Sequence, residues 1–356
     1  MASETRVVAA PLAGVRIRRR RWSPTIVVVG SLVALAAALV LGVGFGSVPI
    51  APADTIAILA HRLLALPVER TWDASTETIL LELRLPRVLS AMLVGAGLAV
   101  AGATFQGLLR NPLADPYVLG TASGAALGAA IAVLIPVRIL ILELGLLNLF
   151  AFAGALAAVF VVYRIGRSGG LTGLLLTGYA VGSLLAAGLA MTMYMSGANL
   201  RQIFSFLLGG FDGASWLRLA IALPLVVLGS IAIILRARSL NGLLLGDESA
   251  AHLGVDVRRE RAILLGLASL VTAAGVAISG LIGFVGLLVP HLVRMAVGPD
   301  ARWVLPISAV AGACLLAGAD LVARLLGDIP VGVVTALVGA PAFLVLLRRT
   351  RSGYEL

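Results

Sequence analysis

Apolar runs about twenty residues long follow one another along most of the 356-residue chain, parted by short polar clusters. A hydrocarbon core about 30 Å thick takes roughly 20 apolar residues of helix to cross. The runs therefore predict membrane-crossing helices at about 26–46, 88–109, 117–135, 144–163, 171–195, 217–235, 304–323 and 331–347. Residues 262–293 carry no charge apart from any on His291. At 1.5 Å per residue, a single helix of that length overshoots the bilayer. Gly280, Gly283 and Gly286 supply a break, which predicts crossings at about 262–280 and 283–297. The expected fold is all-α and polytopic, with ten transmembrane helices. A membrane barrel is excluded, because Ala, Leu, Val and Gly run together without polar and apolar residues alternating.

The expected organisation is a basic arm at 1–25, one transmembrane domain at 26–347 and a tail at 348–356. Residues 47–85 read as a polar outer loop holding His61, Arg62, Glu69, Arg70, Asp73 and Glu77. The first run is too long for the apolar part of a secretory signal and has no clear cleavage site, so it reads as a retained span.

Composition agrees with a bilayer: 60% of residues are hydrophobic and 12% charged, too little polar surface for a soluble globule. The net charge of +10 falls in clusters between apolar runs, so it marks membrane orientation rather than nucleic-acid binding. All 27 basic residues are arginine. The ten-helix plan puts 19 of them on the inner side, with both termini cytoplasmic and the Arg16–Trp22 cluster flanking the first span. One cysteine, Cys314, excludes an internal disulfide. His61, His252 and His291 are too scattered for a common metal site.

The polar island Gly246–Arg261, GDESAAHLGVDVRRER, interrupts the apolar pattern inside a cytoplasmic segment at 236–261. It predicts a short helix closed by Gly254, with Ala250, Leu253 and Val257 on one face that could bind another protein. Arg84 and Arg87 in LRLPR, and Arg324 one turn after Asp320, stand at the outer side, where arginine is disfavoured. Snorkelling, an internal pair with Glu82 or Asp320, or a basic rim for an acidic partner would each account for them. Pro86 suits the first turn of a helix. Asp115, in the turn between the second and third spans, is placed to cap the following helix. Gly95 with Ala99, and Gly120, Gly124 and Gly128, allow close helix approach. No HExxH or GxSxG motif supports an enzyme, and a lysine-free chain cannot supply a P-loop lysine.

Four segments, LRLPRVLSAMLVGAGLAVAGATFQGLLRNPLADPYVLGTASGAALG (83–128), GDESAAHLGV (246–255), GLIGFVGLLVPHLVRM (280–295) and ADLVARLLGDIPVGVVTALVGAPAFLVLL (319–347), together resemble the FecCD permease family. That family comprises membrane subunits of ATP-binding cassette importers for vitamin B12, ferric siderophores and haem. The resemblance implies a multi-pass permease of a bacterial or archaeal plasma membrane, and a homodimer or paired half-subunits. It also implies separate ATPase subunits that bind ATP and Mg, and an extracytoplasmic binding protein. No cofactor is expected on this chain. By the motifs, Arg84, Arg87 and Arg324 are expected to dock the binding protein, and Asp247, Glu248, Ala251, Leu253 and Gly254 to couple to the ATPase. Phe204, Leu207, Gly209, Gly210, Ile329 and Pro330 are expected to form an outer gate. Met191, Met193 and Met195 are candidates for the substrate path. An intramembrane enzyme or an ATP-independent carrier is the alternative class.

Overall fold

The computed structural model describes residues 24–351 apart from 47, 49, 69, 71, 136–139 and 142–143. The basic arm before residue 24, Glu69 and the end of the tail lie outside the described residues. The rest is helical: α1 (Pro24–Gly44), α2 (Pro52–Leu64), α3 (Ala74–Thr78), α4 (Leu85–Leu108), α5 (Thr121–Leu134), α6 (Leu146–Gly166), α7 (Gly170–Met195), α8 (Leu200–Leu208), α9 (Trp216–Leu235), α10 (Ala237–Leu244), α11 (Asp247–His252), α12 (Val257–Ser279), α13 (Val285–Val297), α14 (Ala301–Leu325) and α15 (Val331–Arg351). A two-residue antiparallel ribbon pairs Leu140 with Gly145 and Ile141 with Leu144.

Among the described residues, five helical stretches are long and apolar enough to cross a membrane: Ala74–Leu108, Leu146–Met195, Trp216–Leu235, Val257–Ser279 and Ala301–Leu325. The second would be about 75 Å long if straight. Instead it turns back at Arg167–Gly169, and α6 and α7 touch through Gly166 and Gly173, where a Cβ on Gly166 would lie 2.9 Å from a carbonyl oxygen.

The region expected to be a loop at 47–85 is largely helical. α3 continues through a π-helical turn, Ile79–Arg84, directly into α4, making one 35-residue helix. Pro86 falls in the first turn of α4, as expected, but α4 follows the π turn without a break. A proline ring clashes with the carbonyl four residues back, and the wider π turn at that point relieves the clash. Polar residues such as His61, Arg62, Arg70, Asp73 and Glu77 made this stretch look like a loop.

α4 is the axis of the molecule, buried along nearly its whole length between α14, α12, α13 and α9. Its glycines let backbones meet: a Cβ on Gly95 would lie 2.3 Å from the Gly312 carbonyl oxygen of α14. Gly124 and Gly154 do the same for α5 and α6, as the small-residue spacing predicted.

α5 and α13 have 14 and 13 residues, about 20 Å each and short of a bilayer core. The irregular stretches before them are closed by side chains: the Tyr117 hydroxyl donates to Ile282 O (3.0 Å) and accepts from Ile282 N (3.2 Å). Asp115 Oδ1 accepts from Tyr117 N (2.8 Å) and so closes a tight turn. It does not cap α5, whose N-cap is Gly120. The expected break in 262–293 comes at Gly280, with φ +67°, while Gly286 lies within α13 against Gly102.

Candidate functional site: two ends of one helix

α12 joins two built regions. Its 23 residues make a rod about 34 Å long, with polar contacts concentrated at both tips.

At the N-terminal tip, the polar island is not one loop. Asp256 caps α12 by accepting from Arg259 N (3.0 Å), so Val257–Arg261 form the helix's first turn. Ahead of it, α11 is held by ion pairs. The Asp247 carboxylate receives Arg261 Nη2 at 2.7 Å and also the Arg110 guanidinium, whose Nε donates to Leu243 O (2.9 Å). Partial burial pushes the Asp247 carboxyl up. The hydrogen bonds and charges of Arg261 and Arg110 outweigh that effect and hold it below its ordinary value. Arg236 pairs with Glu260 at 2.6 Å, and Asn241 bridges Asp300 and Ala301 N at 2.7 and 2.8 Å.

Ala250 is fully buried, whereas Leu253 is 65% exposed. The two therefore do not share the face expected of them, because Leu253 terminates α11 instead of continuing it. The outward surface consists of Glu248, Ser249, Ala251, His252, Leu253 and Gly254. Asp247 faces its own chain's arginines and serves to position α11. Arg110, Arg236 and Asn241, which fix this end, carry no sequence signal stronger than a polar residue near a span end.

At the C-terminal tip, three segments meet through glycine. Gly210 N donates to Ser279 O (2.7 Å), Leu281 N to Phe206 O (3.2 Å) and Gly332 N to Gly209 O (3.3 Å). A Cβ would lie 2.3 Å from Leu281 O at Gly209, 2.2 Å from Phe206 O at Gly280 and 2.2 Å from Leu208 O at Gly332. Gly209 and Gly280 also have positive φ, +64° and +67°. Only glycine fits such contacts without strain. Leu207, Ile329 and Pro330 are half-buried here, and Phe204 is 45% exposed. The aromatic wedged inward is Phe206, packed among Ala125, Ala129, Ala151 and Ala155, and sequence reasoning missed it. A cavity of about 280 Å³ adjoins the junction, lined by Asn148, Ser205, Phe206, Asp212, Ser279 and Pro330 among others.

The three arginines expected to form an exposed basic rim lie beside this junction but point inward. Arg84 is 6% exposed; its Nη1 donates to Gly44 O (2.8 Å) and its other nitrogen to Val48 O. Arg324 is 8% exposed and donates to Asp320 Oδ2 (3.0 Å), Phe45 O (2.8 Å) and Gly42 O (2.6 Å). Both bind the end of α1 to α4 and α14, satisfying carbonyls that a helix end leaves free. Arg87 reaches Asp320, Asp212 and Asp328 at 2.8, 3.2 and 3.5 Å. The internal pairing with Asp320 is therefore present, and an exposed rim is not.

Met191 and Met195 are 59% and 63% exposed on α7. Met193 is half-buried. At about 100° per residue it cannot share their face, so the three do not form one stripe. Tyr179, Leu184 and Tyr194 are also largely exposed on α7.

Several known proteins are similar to this chain in sequence, and one solved structure is similar to it in fold. The chain is 46% identical over 301 residues to the cobalamin import system permease protein BtuC of Halobacterium salinarum, covering 83% of this chain and 79% of that protein. It is 44% identical over 299 residues to the hemin transport system permease protein HmuU of Yersinia pestis, covering 81% and 90%. A solved inward-facing structure of a putative metal-chelate type ABC transporter superposes with a TM-score of 0.80 at 31% identity, covering 92% of this chain and all of that one. The model of the FecCD transport family matches residues 32–349. The chain belongs to the FecCD transport family.

Proposed function

We propose that this chain is the permease subunit of an ATP-binding cassette importer that takes up a bulky chelate, either cobalamin or an iron chelate such as haem or a ferric siderophore. The observation that carries this reading is α12, with the exposed short helix α11 braced at one tip and a glycine junction at the other. A transporter that works by alternating access needs such a link, because two sites influence each other only through conformations they bind differently.

In this reading α1, α4, α5, α6, α7, α9, α12, α13, α14 and α15 make ten crossings, with both termini cytoplasmic in the plasma membrane. Glu248, Ala251, Leu253 and Gly254 seat on a separate ATPase subunit, which binds ATP and Mg. The junction of Gly209, Gly210, Ile329 and Pro330, flanked by Phe204 and Leu207, is the outer gate. An extracytoplasmic binding protein docks beside it at Arg87. Arg84 and Arg324 support that surface from beneath. The exposed face of α7, with Met191 and Met195, faces a second permease copy across the substrate path. A preformed chelate needs no covalent chemistry to be carried.

The test is uptake of cobalamin, haemin and a ferric siderophore by sealed vesicles holding the permease with its ATPase and binding protein. Accumulation of one of them that requires both ATP and the binding protein supports the reading. Accumulation that persists without the ATPase overturns it and favours an ATP-independent carrier.

A further inference from the structure

At the N-terminal tip of α12, a second cavity of about 510 Å³ opens between the α6–α7 turn and the first turn of α12. Ligand pockets ordinarily span roughly 300–1,000 Å³. Arg167, Arg258 and Arg261 line the cavity together with Tyr163 and Ser168, and no carboxylate does among the described residues. Three like charges around one cavity are unfavourable unless an anion lies among them. The nearby acids are engaged elsewhere: Asp256 caps α12 through Arg259 N, Glu260 pairs with Arg236, and Asp247 takes Arg261 Nη2 at 2.7 Å. Arg167 and Arg258 have no ion-pair partner among the described residues. The Arg261 side chain is 16% exposed, and its Nε is buried with no hydrogen-bond partner among the described residues. A buried donor left unpaired is costly, and a guanidinium matches an oxygen-rich anion such as phosphate.

We propose that this cavity is a binding site for a phosphate group. A phosphate brings several acceptor oxygens, enough to serve Arg261 Nε together with Arg167, Arg258 and the two hydroxyls. Two sources share that chemistry, the headgroup of an anionic phospholipid and free phosphate in solution. The surroundings favour the lipid. Leu174 and Val257 give the cavity an apolar wall, and Phe160, Ile165 and Leu176 are exposed on α6 and α7 at the same end, where acyl chains lie. In the orientation proposed above, this tip stands at the cytoplasmic leaflet, whose anionic lipids attract arginine. Occupancy also reaches α11: an oxygen on Nε steadies Arg261, whose Nη2 holds Asp247. The phosphate is then part of the brace beneath the exposed surface of α11. The site belongs to the isolated chain and holds whether or not the chain serves an importer.

The test compares two double variants of equal charge. Arg167→Gln with Arg258→Gln removes two arginines that line the cavity and spares Arg261. Arg164→Gln with Arg259→Gln removes two arginines from the same helix ends that do not line it. The full-length permease is placed in phosphatidylcholine nanodiscs with a minor share of phosphatidylglycerol, and the phosphatidylglycerol it retains on release is counted by native mass spectrometry. In a second arm, the permease in phospholipid-free maltoside is titrated with inorganic phosphate while its thermal midpoint is followed. Retention should fall by about tenfold in the cavity variant and stay unchanged in the control, since each arginine near the surface contributes comparably to lipid attraction. Amide exchange across 247–254 should be several-fold slower with phosphatidylglycerol than without it, and only where the cavity is intact. A midpoint that rises with inorganic phosphate in the unaltered chain and not in the cavity variant, without selective lipid retention, supports the phosphate site and assigns it to the soluble source. Equal loss of lipid in both double variants overturns the proposal, because surface charge alone then holds the lipid. A cavity variant that matches the unaltered chain in both arms overturns it as well. Selective retention with unchanged exchange at 247–254 overturns the link to α11.

Discussion

The two tips of α12 are built by opposite means. At the N-terminal tip, charged side chains from the turn after α4, the joint between α9 and α10, α11 and α12 pair across element boundaries, with Asp247 bound by Arg110 and Arg261, and Glu260 by Arg236. At the C-terminal tip, glycines bring backbones into contact and three single hydrogen bonds bridge the segments. Several charge-assisted bonds that share partners resist separation, because losing one leaves a charge to be satisfied elsewhere. Flat glycine contacts with few bonds can part and close again without side-chain rearrangement. The difference suits a rigid receiver at one end and a separable closure at the other.

The largest effect is expected from breaking the separable end. Gly280→Ala forces a side chain into a positive-φ conformation (φ +67°, ψ −162°) that essentially only glycine adopts, at about 1–3 kcal/mol. It also sets a Cβ 2.2 Å from Phe206 O. Uptake should fall by about tenfold or more while the complex still assembles, a loss equivalent to at least about 1.4 kcal/mol. An unchanged uptake rate would show that the junction is not a closure. Next in size is Leu253→Asp, which puts a charge on the exposed surface of the receiver without touching its internal pairs. Copurification of the ATPase should be lost, while the thermal midpoint of the permease stays within a few degrees.

Asp247→Asn should act more weakly, because its carboxylate is half exposed and its pairs are partly screened. It should slow uptake a few-fold and speed amide exchange across 247–254. The pH dependence follows from the sign of the shift. The folded carboxyl lies below its unfolded value. Its contribution is therefore complete above the unfolded value, near 3.8, and is lost as pH falls through the folded one. Exchange at 247–254 should accelerate in that acidic window in the native chain, and Asp247→Asn should remove that part of the response. The smallest effect belongs to the methionines: Met191→Ala with Met195→Ala should alter uptake more than Met193→Ala, which faces away from the exposed surface of α7.

Much of the architecture was legible because bilayer thickness dictates helix length and glycine marks the breaks. The helix at Ala74–Leu108 was not legible over its first part. Its charges are neutralised by partners far away in sequence: Glu77 by Arg62 at 2.5 Å and Arg70 at 3.2 Å, and Arg84 by carbonyls at the end of α1. Once neutralised, they no longer require a loop. The same blindness affected Arg84 and Arg324. An arginine at a span end looks alike in sequence whether it faces a partner or satisfies a neighbouring helix end. The polar island was correctly read as a short helix closed by Gly254, which has φ +80°. The orientation of Leu253 against Ala250 needed the structure, because α11 ends after six residues and periodicity has no room to act. The backbone junction at Gly209, Gly280 and Gly332 could be guessed from its glycines, but which segments they join could not.

The central claim is that α12 links the receiver to the closure. Labelling of Ser279→Cys by a membrane-impermeant maleimide, in a Cys314→Ser background within the assembled complex, tests it most directly. During ATP turnover the labelling rate should change several-fold relative to the nucleotide-free complex, and Leu253→Asp should abolish the change. A labelling rate that stays the same while ATP is being hydrolysed by an intact complex would contradict it.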